Sequence, residues 1–451
     1  MRAEFDTTGA GALFRPRMRV AVIGSGVSGA SAAWALSHRH DVVLYEAAEQ
    51  PGGHTATKTI DYDGTPVSVD TGFIVFNTIT YPLLTKLLAH LDVATHASSM
   101  SFSLSLDDGK LEWCGDNLRS VFAQKRNLAS PGFLWMLKEI LRFNSQSLRD
   151  RAAGRLAGRT IGEYLSFGGY SARFRDDYLI PMAAAIWSTP RVDMLDFPAE
   201  TFVTFFENHR LLQLRTPIWR TVTGGSRNYL DKLLAPLGPG LRTGAPVVSV
   251  RRAPGSVFVR DAHGRADRFD RIVLAGHSDQ TLALLDDASE DERSILSAIG
   301  YRPNRVVLHR DPSFMPKRRG AWAAWNYHRG SAQGDEANVS LTYWMNRLQG
   351  IDERFPLFVS LNPAREPATG TVFGEWTYEH PQFDAAAIAA QKRLPTIQGK
   401  RDTWFAGAWT GYGFHEDGLR SGLEAARALG AAAPWDEPME ALDAPMLIAA
   451  E

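Results

Sequence analysis

The sequence predicts an α/β protein of two interleaved lobes, and three observations carry that prediction. Arg19-Val-Ala-Val-Ile23 is a short apolar run that enters Gly24-x-Gly26-x-x-Gly29. A second run, Asp41-Val-Val-Leu-Tyr45, ends on Glu46, 20 positions after Gly26. Near the C-terminus, Thr403 to Gly418 repeats the order strand, glycines, helix. The first two together read as a Rossmann-type, dinucleotide-binding βαβ unit.

Each part of that unit has a physical task. Gly24 permits the tight turn, Gly26 lets the backbone approach a pyrophosphate, and Gly29 lets helix and strand pack closely. The helix predicted from about Val27 to Ser37 starts among Ser25, Val27 and Ser28, where unpaired N–H groups and the positive dipole end favour an anion. Tyr45, Glu46 and Ala47 close the unit, with Glu46 placed for a ribose hydroxyl pair. The run Glu46-Ala-Ala48 contains no Arg for a 2′-phosphate, which disfavours NADP. A Gly-Gly turn follows in Gln50-Pro-Gly-Gly-His54, so Gly52, Gly53, His54 and Thr55 join the cofactor candidates.

Composition excludes several classes. The 451 residues leave room for two lobes, and 44% hydrophobic with 22% charged residues is ordinary for a globular enzyme. Lys plus Arg (49) nearly balances Asp plus Glu (50), so no overall field draws the chain to nucleic acid. A single cysteine, Cys114, leaves no internal disulfide framework and no Cys-rich metal site, and no metal is expected. The first 17 residues lack the apolar run of a signal peptide, and the longest apolar stretch, Leu179 to Trp187, has nine residues against the ~20 of a spanning helix. A cytoplasmic location is expected.

Along the chain, residues 18–76, 236–300 and 400–432 are assigned to the cofactor lobe, and 77–235 with 301–399 to the substrate lobe with a helical insert. The ends, 1–17 and 433–451, read as loosely ordered. Val67 to Phe76 is a strand–Gly–strand stretch that includes Thr71, Gly72 and Phe73. Helical periodicity dominates from about 80 to 235, with Leu83, Leu84, Leu87, Leu88 and Leu91 on one face. Strands return at 247–250, which holds the cofactor candidate Val248, and at 256–259 and 272–276. The C-terminal motif adds Gly407, Ala408, Gly413, Phe414, His415 and Gly418, whose amides and helix dipole suit a group that gains negative charge on reduction.

On these motifs the chain resembles FAD-dependent oxidoreductases of the amine-oxidase and phytoene-desaturase superfamily. His54 stands where that group commonly has Arg. Within the superfamily the chain is similar to flavoproteins associated with cyclopropane- or methyl-fatty-acyl synthases and to the N-terminal half of plant cyclopropane-fatty-acid synthases. Asp70 to Asn77, Met100 to Ser105, Phe122 to Asn127, Pro181 to Ser188, Asn208 to Gln213, Leu308 to Asp311, Ala321 to Asn326 and Gly411 to Gly418 carry that likeness. The resemblance implies non-covalent FAD and a desaturase or dehydrogenase of a methyl-branched or unsaturated fatty acyl chain, with hydride passing to flavin N5 and reoxidation by O2 or a carrier. It also implies a lipid methyltransferase as a possible partner.

Only one dinucleotide fingerprint is present, so the electrons should come from the organic substrate. A flavin amine oxidase is the first rival; the stretch Tyr301 to His309 lacks the Lys that branch commonly carries there. Trp187, Trp219, Trp325 and Tyr343 are substrate-wall candidates that suit an acyl chain or, by cation–π contact, an amine. His415 and Glu416 are the candidate bases, with His54 behind them. A flavin-binding partner of a lipid methyltransferase, without turnover of its own, is the third reading. The amphipathic run Phe133 to Phe143, followed by Arg149, Arg151, Arg155 and Arg159, suits peripheral contact with the inner face of a membrane.

Overall fold

The computed structural model describes residues 17–187, 191–213, 217–330 and 340–436. Strand β1 (Arg19–Ile23), helix α1 (Val27–Ser37) and β2 (Asp41–Tyr45) form the predicted unit, with β1 and β2 parallel from Arg19↔Asp41 to Ile23↔Tyr45. Alternation sorts their side chains. Val20, Val22, Val42 and Leu44 belong to the core under α1, while Ala21, Ile23, Val43 and Tyr45 pack into a separate core on the opposite face.

The chain then forms a hairpin, β3 (Thr57–Tyr62) with β4 (Thr65–Asp70), and a short strand β5 (Phe76–Asn77). Helix α2 (Pro82–His90) buries Leu84, Leu87 and Leu88. Next come β6 (Thr95–Ala97), β7 (Phe102–Leu106), β8 (Leu111–Cys114), and the helices α3 (Pro131–Ala152), α4 (Ile180–Trp187) and α5 (Ala199–Asn208). Strand β9 (Trp219–Val222) pairs with β5 and β6, and α6 (Arg227–Leu234) leads back to the cofactor lobe.

Strand β10 (Leu241–Arg242) edges the first sheet. The antiparallel strands β11 (Val247–Ala253), β12 (Ser256–Asp261) and β13 (Ala266–Phe269) supply the core on its second face, and β14 (Arg271–Leu274) returns to it. The substrate lobe is completed by β15 (Gly300–His309), β16 (Trp325–Arg329), β17 (Ser340–Trp344), β18 (Phe358–Leu361) and β19 (Val372–Gln382). The chain closes with β20 (Thr403–Phe405) and α7 (His415–Ala428). The cofactor sheet runs β10-β2-β1-β14-β20 and is parallel throughout; the substrate sheet runs β19-β15-β18-β17-β16-β7-β8. The molecule is a two-lobed α/β protein.

Two expectations change. The span 80–235 is not helical throughout: β7 and β8 form a hairpin that extends the substrate sheet. Phe102, Leu104 and Leu106 alternate with serines, and Asp107, Asp108 and Gly109 all take positive φ in the turn, so strand chemistry prevails there. The C-terminal tail also begins later than expected. Trp435 stacks on Trp34 of α1 at 5.9 Å and Asp436 pairs with Arg427, which docks residues 433–436 on the fold. The remainder of that tail, residues 1–16, and Ser188 lie outside the described residues.

Candidate cofactor and substrate site

The glycine turn is specified by space. Gly24 sits at φ +100°, and a Cβ on Gly29 would lie 1.8 Å from the Gly24 carbonyl oxygen, so helix and strand meet only if position 29 is bare. Gly26 differs: a Cβ there would meet nothing within 4 Å, because the space over the start of α1 is open. Glu46 ties the turn to the following loop. Its Oε2 accepts from the Ser25 amide (3.0 Å) and the Ser25 hydroxyl (2.5 Å), its Oε1 accepts from the Ala48 amide (2.8 Å), and Ser25 Oγ accepts from the Gly52 amide at 2.9 Å. Val27 and Ser28 are buried under α7. Ala47 and Val248 are exposed at the rim, Val248 at a bulge in β11. Tyr45 points to the opposite face, where its hydroxyl donates to Asp267 at 3.0 Å.

The Gly-Gly loop lies against this turn: Gly53, at φ +54°, would place a Cβ 3.3 Å from the Gly26 Cα, and Gly52 at φ +128° has no room for one beside Thr55 and Leu230. His54 follows, partly buried, and its buried Nε2 has no hydrogen-bond partner. Burial, reinforced by His380, His277 and His415, holds its pKa down to about 3. Its ring faces Tyr378 (5.1 Å) and His380 (5.3 Å). Phe73 donates its amide to the His54 carbonyl (2.7 Å), a Cβ on Gly72 would clash with that carbonyl at 2.3 Å, and Thr71 Oγ1 meets the Tyr378 hydroxyl at 2.8 Å.

The C-terminal motif closes the same cluster. His415 stacks on Phe73 at 3.8 Å, and its Nε2 meets the Tyr229 hydroxyl, which meets Thr55 Oγ1 at 2.7 Å. Burial holds the His415 pKa down to about 3. Asp417 Oδ2 accepts from the amides of Tyr412 (3.0 Å) and Phe414 (3.1 Å), folding the Gly411–Gly413 bend onto the first turn of α7. Gly407 donates its amide to Ser421 Oγ at 2.9 Å, and Ala408 lies beside Gly418. Gly418 and Gly422 would carry a Cβ 2.7 Å from Val27 Cγ1 and 2.1 Å from the Ser28 carbonyl oxygen, so the starts of α1 and α7 are brought side by side.

Glu416 takes a different role from the expected base. Its two oxygens accept from the amides of Leu83 (2.8 Å) and Leu84 (3.0 Å), so it caps α2 from across the lobe interface.

The four aromatic candidates divide. Trp325 and Tyr343 are directly paired across β16 and β17, with rings 4.9 Å apart, and the buried Trp325 Nε1 has no acceptor. Burial raises the Tyr343 pKa. Trp187 instead packs among Phe197, Phe202, Phe205 and Phe206, with Phe205 nearest at 4.4 Å, and Phe205 in turn stacks on Phe414 at 5.0 Å. Trp219 lies on β9 against Tyr81. These two residues fill the core behind the cluster. Sequence reasoning missed His380 and His277 as neighbours of His54. Trp376, Tyr378 and His380 alternate along β19, and that period of two was the available signal. Where a Lys was sought on β15, the buried Asn304 donates to His380 Nδ1 at 3.0 Å and accepts from Asn362 at 2.8 Å.

Residues 27–350 match the model of the flavin containing amine oxidoreductases. No curated protein matches the chain. Among solved structures, a cofactor-binding triple mutant of putrescine oxidase superposes with a TM-score of 0.67 at 17% identity, covering 92% of this chain and 99% of that one. A CLA-producing fatty acid isomerase from P. acnes gives 0.65 at 15%, over 92% and 98%. Cyclohexylamine oxidase from Brevibacterium oxydans gives 0.63 at 17%, over 92% and 99%. The residues present fit the cofactor of that family. The open space over Gly26, the bare 24–29 turn and the 52–54 loop with its unpartnered His54 Nε2 would hold the diphosphate, and 71–73 with 413–418 the flavin. The chain belongs to the flavin containing amine oxidoreductase family, and its cofactor is FAD.

Proposed function

We propose that this FAD-dependent oxidoreductase removes hydrogen from an uncharged acyl chain, as a desaturase or dehydrogenase of a methyl-branched or unsaturated fatty acyl substrate. One observation carries the reading: the buried lining beside the cofactor cradle is uncharged. Burial presses His54 and His415 to pKa values of about 3 and His380 to about 4, so all three are neutral at pH 7. The nearby carboxylates are already engaged: Glu416 caps α2, Asp417 accepts from the Tyr412 and Phe414 amides, Asp70 accepts from Ser226 and Gln349, and Glu379 lies half-exposed against His277. A long hydrocarbon chain asks for such uncharged walls. The likeness to a fatty acid isomerase adds support that this fold accommodates an acyl chain.

FAD supplies the two-electron acceptor for a C–H bond, and the protein's residues place the substrate and keep water away. Phe73, Trp325 and Tyr343 present apolar surface, and the neutral His54 adds no charge beside it. Anaerobic titration tests the reading. Bleaching of the flavin by a methyl-branched monoenoic acyl lipid, with loss of two hydrogens by mass spectrometry, is expected. Bleaching by putrescine or monoamines alone would replace it with the amine-oxidase reading. Inertness to both, with tight binding to a lipid methyltransferase, would leave a non-catalytic partner.

A further inference from the structure

The segment 118–149 departs from the balanced charge of the whole chain. It carries six basic residues, Arg119, Lys125, Arg126, Lys138, Arg142 and Arg149, and one acid, Glu139. That acid is buried, accepting from the Ser171 amide and hydroxyl and pairing with Arg142 at 3.6 Å, so no carboxylate of this segment is exposed beside the remaining basic residues. The same segment concentrates exposed apolar side chains. Of the eleven large hydrophobic residues exposed among the described residues, five lie here: Leu118, Leu128, Leu134, Trp135 and Leu141. On α3, Phe133, Met136 and Phe143 face the core, while Leu134, Trp135, Lys138, Leu141 and Arg142 point outward. Lys138 lies over the Trp135 ring at 4.7 Å, an aromatic–cation pair suited to a headgroup boundary.

A cavity of about 340 Å³ opens beside this face, where the β7–β8 hairpin meets residues 126–130. Lys110, Arg126, Ser130 and Arg173 line it. Asp107 and Asp177 line it too; Arg329 engages both at 3.4 Å, and Arg173 also pairs with Asp177 at 3.4 Å. At its wall Asn127 is 3% exposed and its Nδ2 has no acceptor. A buried amide donor that lacks an acceptor, in a cavity lined by Lys110 and Arg126, fits a phosphate oxygen.

We propose that this face docks on an anionic phospholipid bilayer, with Leu128, Leu134, Trp135 and Leu141 entering the acyl boundary and one lipid phosphate seated in the cavity at Asn127. Of the basic residues farther along the chain, Arg151 and Arg155 pair with Glu207 and Asp150, so the docking charge lies on the segment before α3 and on the outward side of α3 at Lys138. The inference holds whichever substrate the flavin oxidises.

Sedimentation of the FAD-loaded protein with phosphatidylglycerol–phosphatidylcholine vesicles tests it. Binding at 50 mM NaCl that falls at least tenfold by 300 mM and is absent with pure phosphatidylcholine is expected. Lys125→Glu with Arg126→Glu should abolish binding, Trp135→Ser with Leu141→Ser should weaken it about tenfold, and Asn127→Ala about threefold; flavin content and circular dichroism establish that each is folded. Millimolar inorganic phosphate should displace little of the protein, since the apolar contacts persist. Equal binding to neutral vesicles, or folded variants that sediment like the parent, would overturn the proposal, as would full displacement by phosphate.

Discussion

The cofactor cradle and the face formed by the 54 loop and strands β16–β17 are built by different means. Around α1 and α7 the backbone itself is the surface: Gly29, Gly418 and Gly422 leave no room for a Cβ, and Glu46, Asp417 and Ser421 have hydrogen-bond partners. Along the 54 loop and the β16–β17 face the side chains make the surface, and several polar atoms are left without partners, among them His54 Nε2 and Trp325 Nε1. A region closed on itself defines a shape, whereas a region with unmet donors and acceptors is completed by what binds there.

Alanine at the glycines breaks this contrast most sharply. Gly29→Ala should give protein without bound flavin, because its Cβ falls 1.8 Å from the Gly24 oxygen; Gly26→Ala should leave the apoprotein melting temperature nearly unchanged and weaken FAD binding instead. Flavin absorbance and apoprotein melting separate the two, and equal loss of stability in both would refute the assignment of the open space. Trp187→Ala should destabilise the fold by about 3–5 kcal/mol, as for other large core residues. Trp325→Phe should chiefly raise KM for the acyl substrate, and a KM effect confined to position 187 would reverse their roles.

Acid lability sharpens the comparison further. His54, His415 and His380 have folded pKa values of about 3, 3 and 4, below the ordinary value of 6.5. The unfolded chain therefore binds protons that the folded one refuses. Apoprotein stability is full above pH ~6.5 and declines as pH falls toward the folded values, by at most about 1.4 kcal/mol per pH unit for each imidazole. His54→Gln should flatten that decline in a melting series from pH 7 to 4; an unchanged slope would show that folding does not lower the proton affinity of His54. Glu416→Gln, the mildest change, should cost about 1–2 kcal/mol through its weakened cap on α2. A large fall in kcat without loss of stability would restore Glu416 as a base.

The cradle was legible in the sequence because its determinants are local. Gly24, Gly26, Gly29 and Glu46 lie within one βαβ unit, and steric demands on a backbone turn are written at fixed spacing. The side-chain face was far less legible. The hairpin at 102–114 was hidden inside an apparently helical span, and His380 and His277 come near His54 from far along the chain, with Asn304 bonded to His380. Trp187 and Trp325 looked alike as aromatic candidates, yet one is walled in by four phenylalanines and the other is paired across β16 and β17 with Tyr343.

The sequence by itself determined the dinucleotide fold, the family and the FAD cradle, since glycine spacing and an acid at a strand end encode close backbone approach directly. Tertiary structure alone decided which titratable groups are neutral, that Glu416 is a cap, and where basic and apolar side chains gather into one exposed face. Those properties depend on burial and on neighbours brought together across hundreds of residues, and burial is a property of the packed molecule.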